Sequence, residues 1–189
     1  TKDTGLTRIN PAAFENARAL IARFLEEGGG VYVFGASYGH MGEVTAVNTL
    51  NQFLESYGAK VLAERLSDPD KEQKQEGGLA ATYALADAIA RHPATEGVRH
   101  WWYPIHPYSG FGYMTYPVRV DAAWTPLVAT STNFKSKPFE PFNENVRETG
   151  QPSEVQGDRA ILIAAREIGG GRMILNGGES AVSIFGYGA

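Results

Sequence analysis

Five consecutive residues, Gly35-Ala36-Ser37-Tyr38-Gly39, match the pattern G-x-S-x-G, in which any chemistry would fall to the serine. In a nucleophile elbow, a sharp turn between a strand and a helix lifts the central side chain off the carboxyl edge of a sheet. The flanking glycines make room for the strained backbone. The helix that follows aims backbone N–H groups at the same point, where they would hold an oxyanion. A serine hydroxyl needs an adjacent base before it can attack. His40, three residues on, is one candidate base, and His92, His100 and His106 are the others. A structural reading competes with each of these. A small polar residue suits a tight turn at a helix start, and a histidine is more often a surface or hydrogen-bonded, partly buried residue than a base. Neither His100 nor His106 has metal-ligand spacing to a nearby acid, so no metal site and no cofactor are expected.

The elements needed to position such a turn can be read on both sides of it. Asn10 suits an N-cap, Pro11 the first helical position, and Ile9 with Phe14 a hydrophobic staple. Phe14, Ala17, Leu20, Ile21, Phe24 and Leu25 then form one apolar face at helical spacing, which Gly28 ends. The apolar run 31–34 reads as a parallel strand buried on both faces, delivering the chain to the turn at 35–42. Val44, Val47, Leu50, Leu54 and Tyr57 predict a second helix, stopped by Gly58. Residues 60–66 read as a strand, 68–77 as a polar loop and 79–90 as a third helix. That alternation predicts an α/β domain with a parallel sheet.

The second half changes character. Residues 100–116 are dense in aromatics, prolines and glycines, and 118–120 and 127–130 read as short strands. Residues 135–157 are too long for an ordinary connection and are expected to be a loop or insertion. Around the glycines 169–171, segments 160–166 and 172–175 predict an antiparallel pair. Trp101, Trp102, Tyr108 and Tyr113, with Tyr38 of the elbow, are candidate ligand-binding rings, since aromatic faces stack on sugars or partner side chains. Packing of an irregular half that is poor in aliphatic residues is the alternative role for each ring.

Composition narrows the partners. A net charge of -4 gives no electrostatic footprint for nucleic acid or an anionic membrane. No apolar run reaches the length of a membrane span, so no membrane insertion is expected. The chain has no cysteine, which removes thiolate nucleophiles and disulfides and leaves the compartment open.

The string Gly35-Ala36-Ser37-Tyr38-Gly39-His40 resembles the elbow of the class I glutamine amidotransferase-like superfamily, with serine in the cysteine position. The helix ending in Gly28-Gly29-Gly30 and the segment His92-Pro93-Ala94-Thr95-Glu96-Gly97-Val98 are similar to its trehalose-utilisation-protein-like branch. The stretch 171–179 falls where the family carries a strand ending in F-H-P-E. The resemblance implies a single three-layer, flavodoxin-like domain over 1–189, with a mostly parallel sheet and a C-terminal antiparallel pair. It also implies a triad of Ser37, a histidine and Glu179. The histidine's position is Gly177, so the usual hydrolysis is expected to be lost. The reading that follows is a non-catalytic module of a larger protein, extracellular or periplasmic, that binds a carbohydrate or other small ligand or positions partner domains. The alternatives are a serine hydrolase acting through Ser37 and a structural or assembly domain.

Overall fold

The computed structural model describes residues 10–35, 43–74, 82–105, 115–140 and 147–178. Asn10 opens α1 (Pro11–Glu26), its side-chain oxygen accepting from the Ala12 N–H at 3.0 Å. The chain reverses at Gly28, whose φ of 97° a side chain would resist, and returns as β1 (Gly30–Phe34). After α2 (Glu43–Glu55) come β2 (Ala59–Val61), β3 (Glu64–Ser67), β4 (Glu72–Lys74), β5 (Thr82–Ala86) and β6 (Ala88–Ile89). A 3-10 turn at Pro93–Thr95 precedes β7 (Trp101–Pro104). The rest is strand and connection: β8 (Val118–Val120), β9 (Thr125–Ala129), β10 (Lys135–Glu140), β11 (Arg147–Glu148), β12 (Ile161–Ile168) and β13 (Gly171–Asn176).

The largest sheet runs β1-β13-β12-β8-β2, with β9 also on β12 and β6 on β9. Two three-stranded sheets, β11-β10-β3 and β4-β5-β7, complete the set. Among the described residues only β1 and β13 pair in parallel; every other ladder is antiparallel. One face of the large sheet packs under the helices, where Leu25, Val33, Leu54, Met173 and Leu175 share a buried cluster. Its other face carries a second cluster, in which Leu127, Leu162 and Ile163 meet Ala84, Ala86 and Tyr103 of the small β4-β5-β7 sheet.

This architecture overturns the expected three-layer flavodoxin-like domain. The described chain has about twice as much strand as helix, with two α-helices, and its sheets are antiparallel apart from one pair. Residues 82–89, expected within a third helix, are β5 and β6. The alanines there suit a helix, but Ala84 and Ala86 are buried because a small side chain lets the strand press into the second core cluster. The strand expected over 60–66 is broken at Leu62-Ala63, so β2 stays in the large sheet while β3 leaves it to pair with β10.

Residues 135–157 contain β10 and β11. The stretch that follows β11 is pinned by Glu64, which is buried. Its carboxylate accepts from the Ser136 hydroxyl at 2.6 Å and also from the Ser153 hydroxyl and the Glu154 N–H. The antiparallel pair around residues 169–171 is present as β12 and β13.

Candidate functional site

The parallel pair β1–β13 brings two chain exits to one edge. The Gly35 N–H donates to the Asn176 carbonyl at 2.6 Å, so β1 and β13 leave the sheet side by side. A Cβ placed on Gly35 would lie well inside van der Waals contact of the Gly177 carbonyl, and one on Gly177 would press on the Tyr116 carbonyl. Position 177, where the resemblance put a missing histidine, is therefore packed against backbone and has no room for a side chain of any kind. At the same edge the Asn176 amide donates to the Tyr32 hydroxyl at 3.1 Å and its oxygen accepts from the Gly178 N–H at 2.9 Å. Partial burial raises the Tyr32 hydroxyl above its ordinary pKa, and the Asn176 bond partly offsets this.

Ser37, Tyr38 and His40 lie outside the described residues, as do His106, Tyr108, Tyr113 and Glu179. Of the described histidines, His92 caps the 3-10 turn, its Nδ1 accepting from the Ala94 N–H at 3.1 Å, and His100 is exposed just before β7. With Ser37 outside the described residues, the serine-hydrolase alternative is not tested by the position of either histidine. No group of three or more His, Asp or Glu there could hold a metal ion, and no helix there is long and apolar enough to cross a membrane.

The two tryptophans of β7 part company because strand side chains alternate. Trp101 and Tyr103 point inward with Ala84 and Ala86, and Trp101 packs against the second core cluster. Trp102 points the other way and is 44% exposed. Its partner across the ladder is Leu85, and Tyr83 opposes Pro104 two residues along, so Trp102, Leu85 and Tyr83 share the outer face of the β5–β7 pair. Tyr83 and Leu85 were not singled out in the sequence because 79–90 reads as helix. The signal for them is the period-two alternation Tyr83-Ala84-Leu85-Ala86.

A concavity of about 640 Å3 elsewhere on the surface is lined by Asn51, Gln52, Glu55, Lys60 and Arg119. Its two cations are already engaged. Glu154 takes both, Lys60 at 3.1 Å and Arg119 at 2.7 Å, and the lining carboxylate of Glu55 balances the remaining positive charge of this wide surface cleft.

No family model matches the chain, and no curated protein matches it. Among solved structures, the "mmIFT52 N-terminal domain" is 14% identical over 90% of this chain and 60% of that one, with a TM-score of 0.49. The "Cytoplasmic Protein STM1381 from Salmonella typhimurium LT2" is 15% identical over 88% of this chain and 51% of its own, with a TM-score of 0.40. The "Cytoplasmic Protein STM3548 from Salmonella typhimurium" is 15% identical over 93% of this chain and 52% of its own, again with a TM-score of 0.40. This chain thus spans between 51% and 60% of the length of those three. The described sheets, antiparallel apart from β1 and β13, are not the mostly parallel sheet that the resemblance implied. The resemblance drawn from the short motifs at 35–40, 92–98 and 171–179 therefore does not stand.

Proposed function

We propose that this chain is a non-catalytic binding module whose ligand-facing surface is the outer face of the β5–β7 ladder, and that its ligand is a carbohydrate. The observation that carries the reading is the exposed indole of Trp102 on a strand that ends its sheet, beside the partly buried Tyr83 and Leu85. A sugar ring has an apolar C–H face and a polar rim. It stacks on an indole held flat by its neighbours while its hydroxyls stay in reach of polar groups and water. An antiparallel ladder with one face in the core fixes such a platform at little entropic cost on binding.

Tryptophan fluorescence tests this directly. Trp124 is buried, with its ring N–H donated to the Tyr57 carbonyl at 2.7 Å, and Trp101 packs into the core, so a ligand-induced change reports Trp102. Titration with neutral and acidic oligosaccharides and with soluble cell-wall fragments is expected to give saturable quenching. Trp102→Ala should weaken binding about tenfold, the loss of one stacking contact. No glycan response, or an affinity unchanged in Trp102→Ala, rejects the proposal.

A further inference from the structure

We propose that the chain pairs with a second copy of itself through the outer edge of β1, with the exposed flank of α1 packed against its twin. Three of the four large apolar side chains exposed among the described residues sit at this end of the molecule: Leu20 at 61%, Phe24 at 51% and Tyr32 at 43%. Leu20 and Phe24 lie on α1, which covers one face of the sheet with Val31 and Val33 beneath it. Tyr32 alternates with those valines and so lies on the other face. Both faces of the sheet are therefore apolar up to the β1 edge.

The two ends of the large sheet are treated differently. At the β2 end, Asn51 closes the edge. Its oxygen accepts from the Val61 N–H at 2.9 Å and its amide donates to the Val61 carbonyl at 3.1 Å, and Lys60 stands at the strand's centre. Lysine and side-chain caps of this kind guard an edge against pairing. β1 reads Gly-Val-Tyr-Val-Phe, without charge, proline or bulge, and no described strand pairs with its outer edge.

The edge is also self-complementary. The Gly29 carbonyl and the Gly35 N–H are both used by β13. By the alternation of a parallel ladder, the N–H and C=O groups of Gly30, Tyr32 and Phe34 then face outward. A twofold axis through Tyr32 pairs Tyr32 with itself and Gly30 with Phe34 of the other copy, and each of these pairs can exchange both of its hydrogen bonds.

The same axis passes close to Leu20. Tyr32 lies about 10 Å along β1 from the turn at Gly28-Gly29, at roughly 3.3 Å per residue. Going back down α1 at about 1.5 Å per residue, the same height falls near Leu20. Ala13, Ala17, Leu20 and Phe24 follow the four-three-four spacing of a helix-packing seam. With antiparallel helices centred on Leu20, the small Ala17 faces the large Phe24 of the other copy. Each exposed Glu27 then reaches the first turn of the opposite helix, which carries no acidic residue of its own, and so meets the positive end of a helix dipole.

Light scattering and sedimentation of the 189-residue chain test the pairing. The mass is expected to rise from 20.5 kDa towards twice that value with concentration. Leu20→Glu with Phe24→Glu keeps helix-forming residues at exposed positions, so circular dichroism should be unchanged while dimerisation weakens at least tenfold. The chain has no cysteine, which makes Tyr32→Cys a single-thiol reporter. Dibromobimane is expected to link it to its twin, and Glu96→Cys, on the exposed 3-10 turn, is expected to remain uncrosslinked. The proposal is overturned by a mass that stays at 20.5 kDa up to about 1 mM. A dimer indifferent to the Leu20/Phe24 pair of changes, or a Tyr32→Cys chain that gives no crosslink, overturns it as well.

Discussion

Gly177 carries more structural information than any side chain at its edge of the sheet. Its N–H donates to the Leu162 carbonyl at 2.9 Å, its carbonyl accepts from the Tyr116 N–H at 3.1 Å, and a Cβ would press on the Tyr116 carbonyl oxygen. Backbone cannot yield as the tip of a flexible side chain can, so either the β13 exit or the 115–117 segment has to move. Gly177→Ala is expected to cost about 1–3 kcal/mol, the range for overpacking. Urea unfolding reads this as a lower midpoint with an unchanged slope. A neutral Gly177→Ala would mean that the exit is looser than its hydrogen bonds imply. The same crowding explains why installing a histidine at 177 is not a route to a hydrolase.

At the scale of elements, Glu64 ties Ser153 and Glu154 to β3 and β10. Three donors converge on one buried carboxylate, and bonds to a charged acceptor are individually strong. Glu64→Ala strands those donors and is expected to cost about 3 kcal/mol. It should also speed hydrogen exchange at the Glu154 amide. If exchange there stays slow, the segment is held by something other than Glu64. The Lys60 and Arg119 bridges to Glu154 are half-exposed and contribute little by themselves.

This cluster also shows what sequence could not convey. Ser136, Ser153 and Glu64 are up to 89 positions apart, and each alone is an ordinary polar residue. α1 and the β12–β13 pair were legible because their signals are local: a capped start and a glycine stop for one, a glycine turn between apolar runs for the other. β5 was not legible, because Ala84 and Ala86 have high helix propensity and only the core cluster they enter makes them strand. On α1 the periodicity was right but the burial was not. Of the six apolar residues counted on one face, Leu25 is buried, whereas Leu20 and Phe24 stand in solvent. The candidate site was half legible. Trp102 stood out by type, but its neighbours Tyr83 and Leu85 appear only once the ladder is known.

Across the described molecule, one sheet separates two cores that have no residue in common. Leu25 belongs to the helix side and Leu162 to the side of the small sheet, and both are completely buried. What joins the clusters is the β12–β13 hairpin, whose alternation sends Ala164 and Leu175 to the first cluster and Ile163 and Ala165 to the second. Neither cluster can lose this hairpin and survive, so the two should melt together even though they share no side chains. Leu25→Ala and Leu162→Ala are each expected to cost about 2–5 kcal/mol. Because the sites lie on opposite faces without a common partner, the double variant should lose close to the sum. Trp124 reports on the first cluster and Trp101 on the second. Denaturation of Trp101→Phe and Trp124→Phe chains, each followed through the remaining rings, should give coincident midpoints, and each leucine variant should shift both alike. Two separated transitions, with Leu162→Ala moving only the one seen by Trp101, would mean that the small β4-β5-β7 sheet and its exposed Trp102 unfold as a unit of their own.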